Sequence, residues 1–398
     1  MDDSLNSLDI LESSAKKFFL VLIAIIAIGM IMVLSSSYIY AGEYYNDSFH
    51  FFVRQLLFLG MGSALAYFVF RTKYSFWLKF SFVIHILACL VLALTLIPEI
   101  GVEVKGAKRW IHFMGFGIQP SEIVKYTILL ASFMYFDEFQ NMLPKERIKK
   151  ALYLVFPLIV LILQPDFGTF SICLIGMAFA CFVSRFPRKI FYLSLPVITV
   201  IGLTLLISQP YRVKRLLTFL DPWENPLGSG FQIIQSLYGF ANGGLFGQGL
   251  GNSNEKLFYL PEAHNDFIFS VLGEELGFLG VAIVATLFLA LVYFGLNMAM
   301  HMRSRKATYI TLMLTFLLGS QAYLNMAVVL GLLPTKGMNL PFISYGGSSL
   351  VANLFAVGLI FSAVRHELAN ENQESESMQT NEYFRHSSFQ DYSRPHRA

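Results

Sequence analysis

The sequence predicts an all-α fold: a polytopic membrane protein with about ten transmembrane helices and a large outer loop between helices 7 and 8. Composition is the first observation. With 55% hydrophobic and only 14% charged residues, the chain has too little polar surface to clothe a soluble globule. Run length is the second. A hydrocarbon core about 30 Å thick takes roughly 20 apolar residues per helical crossing, and several stretches reach that length with few or no charges. The third is the placement of basic residues, which sets sidedness because short cytoplasmic loops retain Lys and Arg. The net charge of +3 is small and dispersed, which argues against nucleic acid as a partner.

The first apolar run, about 18 to 41, follows Lys16 and Lys17 as a signal sequence would, but it exceeds a signal core of about 7 to 15 residues. It is expected to stay as the first crossing, leaving 1–17 as a cytoplasmic segment. Further crossings are predicted at about 51 to 70, 76 to 97, 121 to 136, 151 to 164, 168 to 184, 189 to 208, 266 to 297, 308 to 333 and 343 to 364. With this count, five basic groups share one side: Lys16 and Lys17; Arg71 and Lys73; Lys145 to Lys150; Arg185 to Lys189; and Arg303 to Lys306. Both termini are therefore expected in the cytoplasm. One outer loop breaks the rule with Lys105, Lys108 and Arg109, and reads either as a functional cluster or as a snorkelling patch. Cys89, Cys173 and Cys181 all lie in apolar segments, as small hydrophobes would.

The outer loop at about 209–265 is long, and long loops are uncommon unless functional or disordered. Helical spacing in "SGFQIIQSLYGF" predicts a short amphipathic helix on the membrane surface, capped by Ser229. The run "GGLFGQGLG" has no preceding strand and no closing Lys-Ser/Thr, so it reads as a close-packing turn rather than a phosphate cradle. Residues 366–398 are polar, mixed in charge and poor in aliphatics, which predicts a disordered cytoplasmic tail.

Ionisable groups at or within the apolar spans face partners or cavities, because a charge there costs a few kcal/mol. In "LPEAHNDFIF", Asp266 stands at the outer end of the eighth crossing, where it suits an N-cap. Beside Glu262 and His264, half withdrawn from water, the same carboxylate also suits a general base. His264 alone has no second ligand at zinc-like spacing and reads as a hydrogen-bonding loop residue. Glu122 and Lys125 lie three apart on one helix face and can pair. Asp166 in "QPDFGT" reads as a cap for the sixth crossing or as a marker of a mid-membrane cavity. Glu274 and Glu275 point in different directions on the eighth crossing, and one of them is expected to pair with a basic neighbour. "LLPTKGMNLPFISYGGSS" carries Lys336, two prolines and paired glycines, which favours irregular backbone lining a cavity.

An outer carboxylate, outer cations and a lipid-facing cleft fit a substrate that brings its own leaving group, since no nucleotide is expected outside the cytoplasm. A lipid-linked diphosphate sugar has that chemistry. The cations Arg109, Lys108 and Lys336 would hold the diphosphate and Asp266 would take the proton from the attacking hydroxyl. Glu262, His264, Glu122 and Lys125 are the further candidates for contact with substrate.

The motifs "KGAKRWI", "QPSE", "QPDFGT", "GQGLGNS", "LPEAHNDFIF", "GEELGFLG" and "PTKGMNLPFISYGGSS" together resemble the SEDS family of shape, elongation, division and sporulation proteins, over about residues 18 to 365. The forms "PTKG" and "LPEAH" are more similar to its division branch than to its elongation branch. The resemblance implies a ten-helix peptidoglycan glycosyltransferase that polymerises lipid II at the outer face of the bacterial cytoplasmic membrane, at the division septum. It carries the family's essential aspartate onto Asp266, an important arginine onto Arg109 and a lysine onto Lys336, with Asn265 departing from the commoner threonine. It also implies a class B penicillin-binding transpeptidase and other division proteins as partners, beside membrane lipid. No metal-ligand spacing decides whether a divalent cation, magnesium or manganese, assists. A lipid II transporter and a noncatalytic division scaffold are the alternative readings.

Overall fold

The computed structural model describes residues 2–391 apart from 105, 114, 209 and 336. Each stretch predicted to cross the membrane carries helix: α1 (Asp2–Tyr45), α2 (His50–Arg71), α3 and α4 (Tyr74–Lys79 and Ser81–Leu94), α5 (Pro120–Glu138), α6 (Pro144–Leu163), α7 (Phe167–Val183), α8 (Arg188–Ile207), and further on α11 (Ile268–Met300), α12 (Arg305–Val329) and α13 (Gly347–Asp391). The outer segment adds α9 (Pro210–Leu220) and α10 (Phe231–Gly243). Among the described residues, five helices (α1, α2, α11, α12 and α13) are long and apolar enough to cross a bilayer, and α4 and α7 are shorter apolar helices. The protein is thus a multi-pass helical membrane protein.

At the centre stands α5, buried on all sides from Pro120 to Tyr135 except at Ile123. That explains why a span carrying Glu122 and Lys125 needs no lipid-facing stripe: α4, α6, α7, α12 and α13 pack around it. Most large side chains on α8 and the outward face of α11, by contrast, are exposed and apolar, as suits a lipid contact.

Three elements differ from, or add to, what the sequence suggests. The basic loop, for which the sequence reading names no secondary structure, is a three-stranded antiparallel sheet of β1 (Gly101–Val104), β2 (Ala107–Phe113) and β3 (Phe116–Ile118). Gly106 and Gly115, at φ +76° and +80°, supply the left-handed turn positions of its two hairpins. The helix around "FQIIQSLYGF" does not simply float on the membrane. Ile233, Ile234, Ser236 and Gly239 are buried, α10 packs on α11, and its cap position is Gly230 rather than Ser229. Third, α13 runs on past residue 366 as far as Asp391. No Gly or Pro interrupts the chain between Gly358 and Pro395, and its Glu, Gln, Met and Ala residues are good helix formers. Residues 392–398 lie outside the described residues.

The glycine run, as its sequence predicts, is a packing device. Helix α11 is broken at Gly277 (φ +66°, ψ −167°), and the run lies against the break. Gln248 and Gly249 donate their N–H groups to the carbonyls of Glu274 and Glu275 (2.9 and 3.0 Å), while Phe278 and Leu279 donate to the carbonyls of Gly244 and Leu245 (2.8 and 3.2 Å). The loop thereby supplies hydrogen bonds where the helical ladder is interrupted, an obligation inside a membrane protein. A Cβ on Gly247 would stand 2.1 Å from the Glu275 carbonyl oxygen, and its φ of +81° is already unfavourable for other residues. Gly247→Ala is expected to destabilise by about 2–4 kcal/mol, read from thermal unfolding in detergent. A loss below about 0.5 kcal/mol would show that the loop does not need this contact.

Candidate active site

Asp266 is partly exposed and lies in the turn that leads into α11. The helix begins at Ile268 with Phe267 in the cap position and no side-chain cap, so Asp266 is not the N-cap that the sequence suggests. Its backbone is instead held from outside. Three successive carbonyls are accepted acceptors of three different donors: His264 O receives Tyr345 N–H (3.0 Å), Asn265 O receives the Ser344 hydroxyl (2.7 Å) and Asp266 O receives Asn325 Nδ2 (2.9 Å). A short turn pinned this way presents its carboxylate in one place, which preorganised catalysis requires.

The donors come from α12 and from the irregular stretch before α13. Asn325 Nδ2 also donates to Met338 O (2.6 Å), and Gln321, one turn earlier on the same face, donates to Asn339 O (3.1 Å). Asn339 in turn donates to Tyr345 O (3.2 Å), and Gln55 of α2 donates to Ser344 O (3.1 Å). The irregular stretch reaches α1 at Gly29, where an added Cβ would lie 2.2 Å from Phe342 O. Gly29 is near the middle of the first apolar run. Non-helical backbone therefore enters to membrane depth, as the prolines and glycines of "PTKGMNLPFISYGGSS" predict, and side-chain amides satisfy its polar groups. Gln55, Gln321 and Asn325 escaped the sequence reading. Their signal is an amide inside an apolar span, with Gln321 and Asn325 four residues apart.

The other predicted residues go to separate places. Glu262 adopts φ +61° and accepts from Asn265 Nδ2 (2.5 Å). His264 is buried in an aromatic nest, its ring centroid 4.7 Å from Phe51, 5.2 Å from Tyr40 and 6.0 Å from Tyr345. Glu122 and Lys125 form a buried ion pair at 2.5 Å, and Lys125 Nζ also donates to Gln321 Oε1 (2.8 Å). The pair thus supports the α12 amide that holds the loop beside Asp266. Asp166 caps α7: it accepts from Thr169 N–H (3.2 Å), the Thr169 hydroxyl (2.9 Å) and the Ser121 hydroxyl (3.3 Å). Of the two glutamates on α11, Glu275 has the basic neighbour, Lys256, at 2.9 Å.

Arg109, on β2, donates from Nε to Gln164 O (3.1 Å) and from Nη2 to Pro165 O (2.6 Å). It therefore secures the turn ahead of α7. Just beyond that turn, a Cβ on Gly168 would meet Gly337 O at 3.1 Å, and a Cβ on Gly337 would meet Asp266 Oδ2 at 3.2 Å. Arg109 and Asp266 are thus linked through the Gly168 and Gly337 contacts. Lys108, partly exposed, stands opposite Glu103 in the β1–β2 register. Lys336 lies outside the described residues. Its neighbour Thr335 accepts from Arg215 Nη1 (3.2 Å), so α9 contributes a further cation at this loop. Among the described residues no group of three or more His, Cys, Asp or Glu side chains gathers to hold a metal ion.

Residues 15–369 match a family described as "Cell cycle protein", which covers FtsW, RodA and SpoVE. "Probable peptidoglycan glycosyltransferase FtsW" of Geobacter metallireducens is 41% identical over 347 residues, 86% of this chain and 92% of that one. "Stage V sporulation protein E" of Bacillus subtilis is 38% identical over 351 residues, 87% of this chain and 96% of that one. Among solved structures, one from a peptidoglycan synthase complex that coordinates polymerization and crosslinking superposes with a TM-score of 0.69 at 29% identity, covering 88% of this chain and 97% of that chain. The rod shape determining protein RodA of Thermus thermophilus superposes with a TM-score of 0.63 at 25% identity, covering 88% and 96%.

Proposed function

The chain belongs to the cell cycle protein family of FtsW, RodA and SpoVE, and from that premise we propose how these residues carry out its reaction. The protein is a peptidoglycan glycosyltransferase embedded in the membrane. Its donor and acceptor are lipid II or the growing, lipid-linked glycan. Asp266 takes the proton from the acceptor sugar hydroxyl, whose oxygen bonds to the anomeric carbon of the donor from the face opposite the leaving group. The anomeric carbon–oxygen bond breaks with inversion, and undecaprenyl diphosphate departs with the bonding pair. Lys336, Lys108 and Arg215 stabilise the diphosphate as its charge grows, while Arg109 holds the adjoining turn. The observation that carries this reading is the partly exposed carboxylate of Asp266 on backbone pinned at three successive carbonyls.

The reaction takes place at the outer face of the cytoplasmic membrane, at the septum, with about ten crossings in a domain of about 18–365 and both termini inside. A class B penicillin-binding transpeptidase is the partner, in keeping with the peptidoglycan synthase complex among its structural neighbours, and other division proteins join it.

One assay separates this reading from lipid transport and from scaffolding. Lipid II is supplied to the detergent-solubilised protein with its transpeptidase, where no two sides exist. A ladder of glycan polymer is expected from the pair and not from the transpeptidase alone. Absence of polymer under conditions that support a known polymerase would overturn the assignment.

A further inference from the structure

Eleven residues before Asp266, the chain makes a π-helical turn, Glu255–Tyr259, and eight residues after it comes Glu274 on α11. These two positions are joined. One oxygen of Glu274, Oε2, accepts from the Glu255 backbone N–H (3.2 Å) and from the Ser253 hydroxyl. Two further oxygens of the pair are orphaned: Glu274 Oε1 and Glu255 Oε2 are buried with no hydrogen-bond donor. Both residues are almost wholly inaccessible, at 0% and 4% exposure.

The neighbouring cation, Lys256, is already engaged. On α11 the adjacent Glu275 is satisfied by Lys256 Nζ (2.9 Å) and the Ser35 hydroxyl of α1 (2.7 Å). Helix α10, whose Gly239 approaches the Glu255 side chain, carries no ionisable residue except Tyr238. Glu255, Glu274, Glu275 and Lys256 would together hold two net negative charges if all were ionised. Two uncompensated charges in a buried site cost several kcal/mol, and such a group takes up a proton instead. A proton on Glu255 removes one charge and turns one of its oxygens into a donor.

We propose that Glu255 holds a proton against Glu274 and acts as a positioning residue, closing the segment 255–274 around Asp266. That role rests on the glycosyl-transfer reading for its effect on turnover. Leu260 N–H donates to Glu255 O (2.9 Å), so the turn that leads to Leu260 and Pro261 is anchored on the same residue. With the proton lost, the two carboxylates repel and the turn is pushed from α11, taking the approach to Asp266 with it. Burial first, and the Glu274 carboxylate second, push the Glu255 carboxyl up to about 7.

The test compares wild type with Glu255→Gln, whose amide reproduces the protonated carboxyl without titrating. Each is assayed with its transpeptidase on lipid II, and each is melted in detergent without substrate, between about pH 6 and pH 8.5. Turnover of wild type relative to Glu255→Gln is expected to fall on the order of tenfold across that range. Glu255 has its folded pKa raised above the unfolded value of 4.5, so its contribution to stability is fully present below about pH 4.5 and is lost as pH rises from there through about 7, the last part of that loss falling between pH 6 and about 7. The Tm of wild type should accordingly drop across the range by more than that of the variant. Parallel melting profiles would overturn the proton on Glu255. Divergent melting with parallel turnover would overturn the positioning role. Absence of polymer from both proteins would count against the glycosyl-transfer reading, while the melting comparison would still decide whether Glu255 holds a proton.

Discussion

Asp266→Asn is expected to reduce polymerisation of lipid II by about 100- to 10,000-fold, the range that a positioned general base supplies. The substitution is nearly isosteric and removes the base without emptying its place. The carbonyls of His264, Asn265 and Asp266 keep their donors Tyr345, Ser344 and Asn325, because none of those bonds involves the Asp266 side chain. Folding should therefore be retained, with Tm unchanged to within the effect of about 0.5 kcal/mol expected of a neutral substitution. Turnover is measured on lipid II in detergent with the transpeptidase present. Activity within threefold of wild type, at normal yield, would remove Asp266 from the chemistry. Loss of activity together with a large drop in Tm would instead make the carboxylate a structural group.

Lys125→Met carries the largest expected effect on stability, about 3–5 kcal/mol. Lys125 is 2% exposed on the central helix and is the ion-pair partner of Glu122 at 2.5 Å. Without it, a carboxylate is left buried in the bundle and Gln321 Oε1 loses its donor. The second change, Glu122→Gln in the same chain, should restore most of the loss, since replacing both members of a buried pair is far less harmful than removing one. Thermal unfolding of the two single variants and the double variant reads the coupling directly. The loss also bears on the site, because Gln321 holds Asn339 O in the loop beside Asp266. Should Lys125→Met leave Tm unchanged and abolish turnover, the pair contacts substrate rather than supporting the loop.

Much of this organisation is legible in the chain itself. A membrane solvent follows from composition and run length, because backbone groups in lipid must be satisfied within helices and because apolar stretches of about 20 residues have few other uses. The Asp166 cap, the Glu122–Lys125 pair and the close-packing role of the glycine run are likewise local matters, set by spacings of three residues or by glycine's conformational freedom. Even the outer sheet had a readable signal. In "GVEVKGAKRWIHFMGFGI" glycines stand at the two hairpin turns, although a chain dominated by helical periodicity draws attention away from it.

Tertiary structure alone decided the setting of Asp266. Its spacing ahead of α11 suits a helix cap, yet the turn is held by Ser344, Tyr345 and Asn325, which lie 59 to 81 residues further along the chain. Arg109 likewise looked like a free cation and proved to bind the carbonyls of Gln164 and Pro165. The physical reason is the same in both cases. Local propensity reports what a residue can satisfy within one turn, whereas a backbone carbonyl at membrane depth takes whichever donor folding brings to it, and that choice is made between helices distant in sequence.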